Sequence, residues 1–373
     1  VCEHLSQLHY FLTGNTAQGH MSLIPETLQS MTYLCLIDGP YLSDNSEIME
    51  RFYKSLKDES DELELIHHPS DPKHLMGMIF PSIKLAIISS TPPHRISGDQ
   101  HQGPVTTLNV YDFYKMDAIH AQQSTIDALT TRIAELHQEA YKGYAEALNI
   151  HDEWEKIYID QSSFKAANEY ADQLVLKLFP DDELRSSTPL VKHRFLGAAT
   201  PKGAVDFVPE LTAGLKRYLI KGRPGSGKST LLRKLVARGT ELGYNLEIYQ
   251  CGLDPNSLDM LICRELGFAI FDSTAPHEYE PSLDTDEVID MYAISIDPTT
   301  DDRFKHEIAE VATRYREQMK KSNNALKEAA KLEHKRTKLT RAALNIDNLI
   351  EIENLITQSI KALYKNANNS MKS

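Results

Sequence analysis

The chain has 373 residues, of which 41% are hydrophobic and 25% charged, with a formal net charge of −13. These fractions exclude a mainly disordered or collagen-like chain, and no apolar run approaches the ~18 residues that span a bilayer. The acidic balance argues against broad binding to nucleic-acid phosphates. At ~100–200 residues per domain, the length predicts two domains.

The opening VCEHLSQLHYFL lacks the basic stretch and long apolar core of a secretory signal. Cys2, Cys35, Cys251 and Cys263 show neither CxxC pairing nor zinc spacing. They read as small hydrophobes in a reducing cytoplasm. The apolar run Leu36-Ile37-Asp38 leads into Gly39-Pro40-Tyr41-Leu42-Ser43-Asp44-Asn45-Ser46, and further apolar runs fall at Leu63-Glu64-Leu65 and Leu85-Ala86-Ile87-Ile88. Ile126, Leu129, Ile133, Leu136 and Ala140 are spaced by threes and fours, which predicts a helix with a narrow apolar seam. Phe164, Ala167, Ala171, Leu174 and Leu178 predict another. Pro180 to Pro189 reads as a polar linker, dividing the chain into domains 1–180 and 181–373.

Beyond it, strands are expected near 217–221, 246–251 and 267–272, with a helix over about 228–242. Asp254-Pro255-Asn256-Ser257 reads as a turn opening a short helix to Leu266, with Asp254 a candidate contact for substrate or water. The basic segment Arg303–Arg341 reads as a solvated helix face, with a patch for nucleic acid or an anionic partner as the alternative, and Leu349, Ile352, Ile356 and Leu363 form a last apolar stripe. Such short seams predict helical hairpins packing on their own lobe or on each other. A coiled-coil arm to a protein partner is the sharper alternative.

The strongest motif is Gly222-Arg223-Pro224-Gly225-Ser226-Gly227-Lys228-Ser229, followed by Thr230, set between an apolar strand and a helix. That pattern and context match a phosphate-binding loop. Glycines let successive backbone N–H groups turn toward phosphate, and the helix N-terminus adds positive potential. Lys228 is expected to reach the terminal phosphates and Ser229 to bind Mg²⁺. About 45 residues on, Gly267-Phe268-Ala269-Ile270-Phe271 ends in Asp272, the expected acid of the Mg²⁺ site.

A shift of 183 residues lays the chain over itself. Leu36-Ile37-Asp38-Gly39 matches Leu219-Ile220-Lys221-Gly222, and Ser90-Thr91-Pro92-Pro93-His94 matches Ser273-Thr274-Ala275-Pro276-His277. One constant offset over many segments implies a tandem duplication. In the first copy Asp44 stands for the last loop glycine, Asn45 for the lysine and Ser89 for the strand acid. An acid there repels phosphate, so this copy is expected to keep the fold and lose the nucleotide. The residue after Asp272 is Ser273 rather than an acid, leaving Glu278 and Glu280 as candidate general bases; they face Arg95 and Ser97 at the shift. His277, repeated as His94, reads as structural.

The loop places the second half's resemblance with the P-loop NTPase superfamily. Over both halves, the lead-in His193-x-Phe195-Leu196…Thr200…Gly203, the GRPGSGKST loop and the DSTAPH turn resemble a bacterial family of tandem two-lobed P-loop proteins of ATPase or nucleotide-kinase-like type. The resemblance implies an α/β fold: a duplication of P-loop NTPase-like three-layer lobes, each followed by a helical hairpin. It implies ATP and Mg²⁺ as cofactors. The expected function is a cytoplasmic ATPase with an active second lobe and a pseudo-catalytic first one. The rivals are a small-molecule or nucleotide kinase and a nucleotide-gated scaffold. Absence of an Asn-Lys-x-Asp motif favours ATP over GTP. Nothing in the sequence sets the oligomeric state.

Overall fold

The computed structural model describes residues 6–99, 101–180, 185 and 188–372. Cys2 and most of the expected linker lie outside them. The first half runs β1 (Ser6–Tyr10), the hairpin β2 (Thr13–Thr16) and β3 (Gly19–Ser22), α1 (Ile24–Leu28), β4 (Tyr33–Asp38), α2 (Leu42–Leu56) and β5 (Glu62–His68). It continues through β6 (Asp71–Phe80), β7 (Leu85–Ser90), β8 (Val105–Asn109), α3 (Met116–His120), α4 (Gln123–Ile159) and α5 (Phe164–Leu178). The second half runs β9 (Val191–Phe195), the hairpin β10 (Gly197–Thr200) and β11 (Gly203–Asp206), α6 (Val208–Leu211), β12 (Lys216–Lys221), α7 (Lys228–Glu241) and β13 (Leu246–Gln250). Then come β14 (Leu258–Cys263), β15 (Phe268–Asp272), β16 (Glu287–Asp290), α8 (Met291–Ser295), α9 (Thr300–Arg303), α10 (Lys305–Thr340) and α11 (Ile346–Lys372).

The halves build the same six-stranded mixed sheet, ordered β1-β5-β6-β7-β4-β8 and β9-β13-β14-β15-β12-β16. Even the register repeats: Cys35 pairs with Ile87, and Tyr218 with Ile270, 183 residues later on both strands. Continuous apolar strands such as Leu34–Ile37 are buried, as expected of strands covered on both faces. The Thr-x-x-Gly lead-ins are matching hairpin turns, in which the Thr16 and Thr200 hydroxyls donate to the carbonyls of Gly19 (2.9 Å) and Gly203 (2.7 Å). The described architecture is therefore α/β with two similar sheets, each followed by helices, as a tandem duplication requires.

The expected short helix ending at Leu266 is instead the strand β14, closed by a single 3-10 turn, Arg264–Leu266. The Pro/Ser start signal was local. Ladders to β13 on one side and β15 on the other outweigh it, because they satisfy the backbone of a buried six-residue run.

The described residues group into two compact units that do not follow the contiguous division at 180. One draws on Val1–Leu12, Ser22–His137 and Leu326–Ser373; the other on Thr13–Met21 and Gln138–Ala325. In the first unit, the sheet of the first copy shares its core with the last helix of the second. Leu349, Ile360 and Tyr364 of α11 join Ile48, Phe52 and Phe80. The Phe80 and Tyr364 rings meet edge to face at 5.8 Å, and Arg51 forks onto both Glu353 oxygens at 2.6 Å.

In the second unit, Ala171, Leu174 and Leu178 of α5 pack with Leu231, Leu235 and Ile270 of the second copy. Its β2–β3 hairpin lies against β10, with Asn15 Nδ2 donating to the Ala199 carbonyl at 3.0 Å. α2 and α7 thus stay on their own sheets, while each copy lends one helix to the other's core, α11 beside α2 and α5 beside α7 and α8. An apolar stripe states that a face is buried, not what covers it. On α11 the buried stripe is also rotated from the expected one: Ile352 is 38% exposed, while Glu353 is buried. Among the described residues, no helix is long and apolar enough to cross a membrane.

Candidate functional site

The glycine-rich segment forms the connection between β12 and α7. Gly225 (φ +74°) and Gly227 (φ +89°) are left-handed, a conformation side chains with a Cβ rarely adopt. A Cβ at Gly225 would also stand 2.6 Å from the Glu155 carbonyl oxygen of α4. Inside the loop, the Ser226 hydroxyl donates to the Arg223 carbonyl at 2.8 Å. Arg223 itself reaches Asp301 at 2.7 Å. Pro224 is half-buried, and Thr230 is exposed on the first turn of α7.

β12 and β15 are adjacent and parallel, with Ile220 paired to Asp272, so Asp272 leaves the sheet at the edge where the loop starts. Lys228 Nζ lies 3.6 Å from Asp272 Oδ2 and donates to the Arg223 carbonyl at 3.1 Å. The other Asp272 oxygen accepts from the Thr274 amide (3.1 Å) and hydroxyl (2.6 Å). Ser229 Oγ accepts from the Leu258 amide at 3.0 Å. Lys228, Ser229 and Asp272 are therefore gathered at one sheet edge. Glu278 is not joined to them: it is exposed in the segment after β15 and has no hydrogen bond or ion pair among the described residues. Glu280 pairs with Lys221 at 2.8 Å.

His277 is held by Asp206, Nδ1 to Oδ2 at 2.6 Å, and Asp206 also receives the Tyr279 hydroxyl. Burial opposes the Asp206 charge, but these two bonds outweigh it and hold its carboxyl below the usual range. The first copy has Ser22 and Leu23 near the corresponding position of β3 and Ile96 for Tyr279, so this support belongs to the second copy alone.

Two groups at this edge escaped the sequence reading. The first is Asp259, at the start of β14. Burial and then the neighbouring Asp272 push its carboxyl up to about 7, against the pull of Cys251, His277 and Lys228. Its signal was available: at the shift of 183 it faces Met76, an acid in one copy against an apolar residue in the other. The second is the His151, Asp152 and Glu155 cluster on α4, whose ligand-type atoms lie within 4.8 Å of one another. Burial pushes the His151 imidazole down and Lys228 adds to this, while Glu155, Asp152 and Asp254 oppose it. The His151 ring lies 5.7 Å from that of Tyr315. Asp254 caps its own turn, accepting from the Asn256 amide at 3.1 Å.

In the first copy, the corresponding segment is wound into helix. α2 begins at Leu42, three residues before Asn45, which corresponds to Lys228, the first residue of α7. Asn45 points back into the sheet edge, donating to the carbonyl of Ile37 (2.9 Å) and the Ser89 hydroxyl (3.1 Å). A Cβ on Gly39 would stand 2.1 Å from its Oδ1, so this amide fills the space above the sheet. Asp44 is buried, receiving the Tyr114 hydroxyl and Arg341 Nη1 at 3.2 Å. Burial pushes its carboxyl up, opposed by those two bonds. Part of the basic segment is thus internal: Arg341 bridges Asp44 and Glu47, and Arg336 is buried.

Compared with known proteins, the chain matches no family model, no curated protein and no solved structure.

Proposed function

We propose that the second copy is a P-loop NTPase-like site that binds ATP with Mg²⁺ and hydrolyses it, while the first copy is a nucleotide-free regulatory or docking lobe. The observation carrying this reading is the placement of Lys228 3.6 Å from Asp272 beside a loop of left-handed glycines. A lysine and backbone amides suit polyphosphate. A carboxylate and a hydroxyl suit Mg²⁺, which takes oxygen ligands and keeps waters and phosphates for the rest. In that role Gly222 to Ser226 shape the cradle, Gly227, Lys228 and Thr230 open α7 beneath the phosphates, and Ser229 and Asp272 hold the cation. Bound Mg²⁺ would neutralise charge building on the phosphates.

The first copy supports the asymmetry. Its loop is helix, its lysine is an asparagine spent on the sheet edge, and its strand acid is Ser89. The expected setting is cytoplasmic. Calorimetric titration with ATP and Mg²⁺ tests the assignment: Lys228→Ala should lose more than tenfold in affinity. Unchanged binding sinks it.

One observation favours the kinase alternative. Ser273, directly after Asp272, is buried and its hydroxyl donates to the Tyr279 carbonyl at 2.8 Å. That position offers no base to orient a water, whereas an incoming hydroxyl substrate could bring its own geometry. Incubation with γ-labelled ATP and a metabolite pool separates the two: free phosphate alone supports the ATPase, and a labelled metabolite the kinase.

A further inference from the structure

We propose that Asp259 is a second carboxylate of the divalent-cation site, standing with Asp272 and the Ser229 hydroxyl on the sheet edge beside Lys228. The inference rests on the nucleotide reading of that edge and adds a residue that no sequence motif assigns.

The register places it. β14 runs antiparallel to β15, and Met260 pairs with Phe271. Continuing that ladder by one residue brings Asp259 to the level of Asp272, where β15 ends and the loop after β12 begins. On its other side Asp259 falls in a bulge between the Tyr249–Met260 and Gln250–Leu258 pairs. Ser229 is tied to the same point, because its hydroxyl oxygen takes the amide of Leu258, the residue next to Asp259. α7, β14 and β15 therefore each bring an oxygen-bearing side chain to one end of the sheet. Mg²⁺ is commonly held by one or two carboxylates with phosphate and water completing an octahedron, which this donor set leaves room for.

Charge gives a second argument. Lys228 meets Asp272 at 3.6 Å, and the other titratable groups around Asp259 are His277, the Cys251 thiol and the Tyr315 phenol. Two acids set together at a half-buried edge repel unless a cation joins them. The duplication gives a third, independent argument. At the shift of 183, Lys228, Asp259 and Asp272 become Asn45, Met76 and Ser89. The copy whose loop is wound shut has dropped all three charges, although its β6 keeps the strand and its register.

The competing role for Asp259 is to hold the Cys251 thiol, with which it shares a hydrogen bond. Titration of the full chain with Mn²⁺, followed by the paramagnetic resonance of free Mn²⁺, separates the two. The measurement is made without nucleotide and again with a nonhydrolysable ATP analogue. Asp272→Asn and Asp259→Asn should each weaken Mn²⁺ binding by tenfold or more, the range seen when a cation loses a ligand or its support. Wild-type Mn²⁺ affinity in Asp259→Asn, or no Mn²⁺ binding by the wild type in either condition, overturns the proposal. Should Asn at 259 disturb the circular dichroism, Asp259→Met, the side chain the first copy carries, provides the same readout. Lys228→Ala separates the two inferences. It should lose ATP, because the lysine belongs to the phosphate side of the proposed site. If it binds ATP normally, the nucleotide reading fails and the Mn²⁺ result still judges Asp259.

Discussion

Both ring nitrogens of His67 are engaged within the first unit. Nδ1 lies 2.7 Å from the Pro72 carbonyl and Nε2 2.8 Å from His9 Nδ1, so the neutral ring donates at one nitrogen and accepts at the other. Burial pushes its pKa down to about 4, with His9 adding to the shift and the Pro72 bond opposing it. The unfolded chain protonates this histidine near pH 6.5, so the unfolded state binds the extra proton first as pH falls. The stability it contributes is present above pH 6.5 and is lost progressively down to about pH 4, by roughly 3 kcal/mol at most. Urea unfolding at pH 7 and pH 4.5 should show a smaller difference in His67→Gln than in wild type. An equal difference would remove His67 as the source.

At the same scale, Lys228, Ser229 and Asp272 were legible in the sequence because the spacing of a phosphate loop and the end of an apolar strand are local patterns. Asp259 was not, since its surroundings are set by how β14 packs between β13 and β15. Glu278 was chosen by proximity along the chain, and the fold leaves it exposed, apart from Lys228 and Asp272.

Helices show how far a periodic pattern carries. The stripe on α11 announces a buried face, and the structure puts it in the core of the first copy, beside α2, through Leu349, Ile360 and Tyr364. Ile360 is almost fully buried there, so Ile360→Ala should cost about 2–4 kcal/mol. The loss should appear as a lower unfolding midpoint of the first unit, followed by hydrogen exchange of β4 and β7. Unchanged exchange in those strands would contradict the packing. α2 shows the opposite limit. Its extra turn at Leu42–Asp44 has only the first-turn acid Asp44 as a start signal, and the Tyr41 side chain supplies no cap. The turn is held by buried bonds from Tyr114 and Arg341 to Asp44, partners remote in sequence. No local propensity could have announced it.

Exchange of helices makes each half of the chain incomplete. Residues 1–180 lack α11, and residues 181–373 lack α5, so each half leaves part of a core uncovered beside its own α2 or α7. Expressed separately, the two halves should be poorly folded, with broad amide spectra and fast proteolysis. Expressed together, they should combine into a soluble pair. Two halves that fold independently with dispersed spectra would show that the exchanged helices are dispensable.

Periodicity, one constant offset of 183 and the glycine-lysine loop were enough to read the duplicated α/β plan, the strands around the loop and the difference between the copies. These are contained in short windows, where side-chain alternation and backbone conformation are decided by neighbours in the chain. Which core each helix joins, the winding of the first copy's loop and the approach of Lys228 to Asp272 were decided in three dimensions. They depend on buried contacts between residues far apart in sequence, and a linear pattern carries no record of those partners.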